Sequence, residues 1–138
     1  MVKFSRLGMA QAQIDALSKR GITYDKTTKK QLLCAYDFSE KPSHGDVERF
    51  EITNTLKLPG DYATFLMKYN GGYPDPDTIT VKSGFEIVIK RFNAMVTPLV
   101  SARLETNYHA YQGRIPKGFL PIACSVSGDI LLLFHFQI

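Results

Sequence analysis

The sequence predicts an α+β domain, a central and mainly antiparallel sheet flanked by helices. Helical spacing dominates residues 8–70, short strand-like runs separated by tight turns dominate residues 78–136, and no repeated strand–helix–strand alternation builds a parallel sheet. The chain has 138 residues, 44% of them apolar, enough to bury one core.

Taken in order, Gly8 to Arg20 reads as a helix, with Met9, Ile14 and Leu17 on its apolar side and Gly21 as its stop. Ile22–Tyr24 and Leu32–Phe38 read as two strands of a hairpin across polar TYDKTTKKQ; a helix over residues 27–36 fits the same stretch. The loop SEKPSHGD, residues 39–46, divides the chain into an N-terminal extension, 1–40, and a main domain, 41–138. Asp46 then caps a helix over about residues 47–56, with Val47 and Phe50 on one face and Glu51 beside it.

The clearest helix signal is LPGDYATFLMKYNGGYP, Leu58 to Pro74. Pro59 suits the first helical position, where its missing N–H has no partner to lose. Asp61 complements the positive helix end. Tyr62, Phe65, Leu66 and Tyr69 fall at i, i+3, i+4 and i+7, one continuous stripe. Asn70 acts as a local cap, Gly71 takes the left-handed conformation, and Pro74 and Pro76 prevent resumption. Thr78–Lys82 and Phe85–Arg91 follow as strands around a Ser83-Gly84 turn, then a helix from Pro98 to about Tyr111 and a loop to Gly118. Phe119–Val126 and Ile130–Phe136 close the chain as strands joined by Ser127-Gly128-Asp129.

Catalysis needs a nucleophile with a base, paired acids or metal ligands brought together. His44, His109 and His135 are scattered, and Asp75 and Asp77 lack the ligand number of a calcium loop. Asn70-Gly71-Gly72 follows a helix, whereas phosphate cradles precede one. No enzyme activity, metal or cofactor is expected. Cys34 and Cys124 lack CxxC spacing and read as reduced, buried residues of a cytoplasmic protein. The start lacks a secretory apolar core, and no run spans a bilayer. The net charge of +4 is uneven: residues 1–36 carry seven basic and two acidic side chains, residues 37–77 four and eight, and residues 78–138 six and three. Lys26, Lys29 and Lys30 form the one tight basic cluster, with no aromatic–basic repeat, so nucleic acid is not an expected partner.

Glu51, Leu58-Pro59, Asp61-Tyr62, Phe65-Leu66, Tyr69 and Asn70-Gly71-Gly72 resemble the signature of the SUKH superfamily, which joins fungal cell-wall-synthesis regulators to bacterial immunity proteins. Leu120-Pro121-Ile122-Ala123 and Ser127-Gly128-Asp129, followed by an apolar strand, resemble its later block, and the likeness covers about residues 46–136. The resemblance implies the α+β fold, a non-enzymatic cytoplasmic immunity protein, and a protein partner: a polymorphic toxin domain, often a nuclease, that it binds and neutralises. It makes Glu51, Leu58, Pro59, Tyr62, Phe65, Leu66, Tyr69, Pro121 and Gly128 structural. Facing a basic toxin, Asp46, Glu48, Asp61, Asp75 and Asp77 are the candidate contact residues, with Asn70, Gly71 and Gly72 bordering that surface. Two alternatives stand beside this one: a regulatory or scaffold module with no toxin partner, and a small hydrolase or ligand-binding protein, which a deep pocket lined by His109, Tyr111 or Cys124 would favour. Nothing in the sequence sets an oligomeric state.

Overall fold

The computed structural model describes residues 2–137. Local capping decides where its helices begin. Helix α1 (Gln11–Lys19) follows Ala10, whose N–H donates to the Gln13 side chain at 2.8 Å. Helix α2 (Lys26–Asp37) starts at Asp25, whose carboxylate accepts the Thr28 N–H at 2.7 Å. The hairpin expected over residues 22–38 is therefore replaced by its helical alternative. The apolar run at 32–36 satisfies either geometry, and the Asp25 cap selects the one that buries Leu32 and Ala35; it turns Cys34, expected to be buried, to the surface, and Cys124 is only partly buried. Helix α3 (His44–Asn54) begins three residues earlier than expected. Ser43, not Asp46, is its cap, and Asp46 closes a reciprocal box from the third position.

Strand β2 (Leu56–Lys57) leads into helix α4 (Gly60–Tyr69), which Pro59 precedes in an extended conformation rather than opening. Strands β3 (Tyr73–Asp75), β4 (Thr78–Thr80) and β5 (Glu86–Phe92) follow. The single helix expected from Pro98 is instead a 3-10 turn, Val100–Ala102, and a short helix α5 (Leu104–Ala110). Strands β6 (Phe119–Ser125), β7 (Ile130–Phe134) and β8 (Phe136–Gln137) complete the order. The turn between β6 and β7 is held by the Ser125 hydroxyl, which accepts the Asp129 N–H at 2.9 Å and the Ser127 N–H at 3.2 Å.

The main sheet is antiparallel in the order β4-β5-β6-β7. Pro121, which cannot donate to a ladder, sits in β6 at a register shift, where a missing N–H is tolerated. Two short antiparallel ribbons flank this sheet. In one, β2 pairs with β8. In the other, β3 pairs with a strand the sequence does not signal, β1 (Lys3–Ser5). The N-terminal residues thus pack on the body of the protein. Phe4 lies 4.9 Å from the Phe65 ring, 5.0 Å from Tyr69 and 5.5 Å from Phe92, and Leu7 and Ala35 join Ala94, Leu99 and Ala102 in one buried cluster.

The larger cluster gathers Val47, Phe50, Leu56, Leu58, Tyr62, Leu66, Leu104 and Leu120, with Phe65 partly buried against it. Three of the four stripe positions of α4 thus face inward, while Tyr69 is 37% exposed. Tyr62 carries a defect into this cluster: its buried hydroxyl has no hydrogen-bond partner, and burial pushes its pKa far above the ordinary value. An unpaired buried hydroxyl costs stability that phenylalanine of the same shape does not. Tyr62→Phe is expected to hold or gain up to about 1 kcal/mol in urea unfolding; a loss of that size would reveal a partner for the hydroxyl.

Candidate functional site

The family-like motif residues of this region fix the two ends of α4: Glu51 at its start, and Asn70, Gly71 and Gly72 at the corner where its end and β3 meet the end of β5. Glu51, on α3, is 8% exposed, and its carboxylate accepts the Leu58 N–H at 2.8 Å. A buried charge is retained here because it closes the turn into α4 with a charge-assisted hydrogen bond. At the other end of α4, Asn70 takes the left-handed conformation (φ 56°) and continues well beyond a local cap. Its side-chain oxygen accepts the N–H groups of Met95 and Val96 at 2.9 and 3.2 Å, and its amide nitrogen donates to the carbonyls of Val96 at 2.5 Å and Glu40 at 3.4 Å.

Gly71 and Gly72 are buried, so they offer a partner no surface of their own. A β-carbon on Gly71 (φ +76°) would lie 2.5 Å from the Asn93 carbonyl oxygen, and one on Gly72 (φ +121°) would strike the Ser5 carbonyl oxygen. Gly72 also exchanges two backbone hydrogen bonds with Phe92, at 3.1 and 2.8 Å. The pair lets three stretches of backbone (β1, β3 and the end of β5) approach more closely than any side chain permits.

The acidic candidates are dispersed around this corner. Asp46 is half-buried, bonded to the Ser43 N–H at 2.8 Å and paired with Arg49 at 3.4 Å. Asp61 accepts the Tyr62 N–H at 2.8 Å in the first turn of α4. Glu48 is exposed on α3; Asp75 and Asp77 are exposed on either side of Pro76, and Asp77 receives a weak 3.3 Å bond from Thr78.

Of these five, Asp46 alone lines a hollow. Three adjoining hollows of about 220, 680 and 200 Å³ form a furrow along residues 95–98. Glu40 and Glu105 line it as well, two carboxylates that sequence reasoning did not single out. They lie 65 positions apart, and only the folded path of residues 93–105 brings them to one surface. Arg103 is held in the wall by the Thr97 carbonyl at 2.8 Å, and His109 by Asn54 at 2.8 Å. Neither Tyr111 nor Cys124 lines the furrow. The arrangement presents shape and mixed charge.

A family model, SUKH_6, described as SMI1-KNR4 cell-wall, matches residues 44–135, well over half of the chain. Among curated proteins and solved structures, nothing matches.

Two outcomes test this corner. Gly71→Ala and Gly72→Ala combine left-handed strain with a backbone clash and are expected to cost about 3 kcal/mol or more each. Gly128→Ala carries the strain alone (φ +92°, nothing within 4 Å) and is expected to cost about 1–2 kcal/mol; equal losses in denaturant unfolding would refute the close-approach account. The second outcome concerns pH. Hydrogen bonds from Ser43, backbone first and then side chain, hold the Asp46 carboxyl below its usual range. Its stabilisation is complete above the unfolded carboxyl value near pH 4 and disappears as pH falls through the lower folded value. Asp46→Ala should therefore be less stable than the parent at neutral pH, and the gap should narrow in acid; a constant gap would mean that the charge contributes nothing.

Proposed function

Because the chain belongs to the SUKH superfamily, we propose that it is an immunity protein: it binds a polymorphic toxin domain and neutralises it without chemistry of its own. The observation that carries this reading is the division of labour among its polar groups. Glu51 and Asn70 are turned inward and bonded to backbone, whereas Glu48, Asp75 and Asp77 stand exposed with no ion-pair partner among the described residues. Exposed carboxylates of this kind suit recognition of a basic partner by complementarity and fast, steered encounter. A nuclease is the toxin class that fits, since a phosphate-binding surface is basic.

The C-terminal domain of the polypeptide encoded immediately upstream, induced with and without this chain, supplies the test. Survival with the chain present and co-purification of the two proteins are expected. Toxicity without rescue would sink the proposal and favour a regulatory module of the cell-wall kind that the family description names. Within a rescued pair, Asp75→Lys with Asp77→Lys should lower the association rate about tenfold at low salt and leave dissociation nearly unchanged; an association rate indifferent to both salt and the substitutions would remove the acidic surface from the account.

A further inference from the structure

The N-terminal helices end in a concentration of charge that the function above does not use. Met9, just before α1, donates to the Leu32 carbonyl in the middle of α2 at 3.1 Å, which ties the start of α1 to α2. The link over residues 20–25 joins the last turn of α1 to the first turn of α2 and forms the α1–α2 tip. Lys19, Arg20, Lys26, Lys29 and Lys30 flank that link, all exposed. Among the described residues the one ion pair is Arg49–Asp46, so none of the five is neutralised. The sole carboxylate at the tip, Asp25, is committed to capping α2.

Two features say what the tip suits. Lysines in the first turn of α2 oppose the positive end of its dipole, a local cost that helix formation alone gives no reason to carry. Phosphate is poorly served: the Asp25 carboxylate already occupies the α2 N-terminus, the ring of Tyr24 is half-buried, and four of the five cations are lysines, point charges rather than the planar forks that grip phosphate. Ile22, 47% exposed, lies in the link between these cations. An apolar side chain rimmed by lysines is the composition of a protein contact with a charged rim.

We propose that the α1–α2 tip is a second interaction surface, one that docks against an acidic face of a protein partner. It rests on the reading of the chain as a binding protein, with the toxin domain as that partner. The partner is then dipolar, presenting a basic region to the Asp75–Asp77 side and an acidic one to the tip. The tip lies outside residues 44–135, so the matched domain and this surface are separate stretches of the chain.

The test is a Lys26→Glu, Lys29→Glu, Lys30→Glu variant of the full chain. Reversal places negative charge where the α2 dipole favours it, so the helix is not weakened, and circular dichroism confirms that the variant is folded. Against the purified toxin domain, the variant should associate about tenfold more slowly at low salt, with the difference closing as salt screens it. An unchanged or faster association would overturn the proposal. If the unaltered chain does not bind the toxin domain at all, it is the immunity reading that fails, and labelled poly-glutamate and a single-stranded oligonucleotide then judge the tip. Poly-glutamate binding that the triple variant loses supports the tip as a surface for acidic protein. Absence of that binding, or tighter binding to the oligonucleotide, overturns it, the latter in favour of nucleic acid.

Discussion

One side-chain amide holds three parts of this chain in register. Asn70 ends α4, and from that position it bonds to the backbone of Met95 and Val96 on one loop and of Glu40 on another. Left-handed backbone is costly for most residues, and asparagine is among those that bear it best. The hydrogen bonds offset that cost and satisfy N–H groups that no helix or sheet serves. The two glycines that follow extend the same constraint to the main chain, since Gly71 rests against Asn93 and Gly72 against Ser5. The aromatic contacts of Phe4 with Phe65, Tyr69 and Phe92 form beside this junction. The furrow along residues 95–98 has Asn70 in its lining, so surface shape and interior bonding share an origin.

Electrostatics divides along similar lines. The carboxylates that the fold consumes, Glu51 and Asp25, bond to backbone N–H groups and fix turns or helix starts. Glu48, Asp75 and Asp77 are left exposed in the middle of the chain, and four of the eleven lysines flank the α1–α2 link. A net charge of +4 describes neither surface. An uneven distribution of charge can orient an approaching partner as well as attract it.

Legibility in the sequence followed the range of the interactions concerned. Helix α4 was readable because its acidic first turn, stripe and stop all lie within seventeen residues. The turn strands were readable because Ser83-Gly84 and Ser127-Gly128-Asp129 are local signals. Strands β1, β2, β3 and β8 are two or three residues long and exist only through partners far along the chain, so no periodicity announces them. Helix α2 was ambiguous because a continuous apolar run fits a strand or a helix equally well. At the corner, the inward role of Glu51 was visible through family likeness, whereas the reach of Asn70 to Met95 and Val96 required the path of a loop that no local pattern encodes. Glu40 and Glu105 were missed for the same reason.

The pairing of Lys3–Ser5 with Tyr73–Asp75, and of Phe4 with the ring of Phe92, also sets an order of events during synthesis. The first strand leaves the ribosome long before its dock exists. At about 5–20 residues per second, the 88 positions from Phe4 to Phe92 take roughly 4 to 18 s to translate. For that interval the nascent chain carries an undocked aromatic arm, and Leu7 and Ala35 likewise wait for Ala94, Leu99 and Ala102. Strand β1 is made well before β3 and Phe92, and it is fastened down only after they follow.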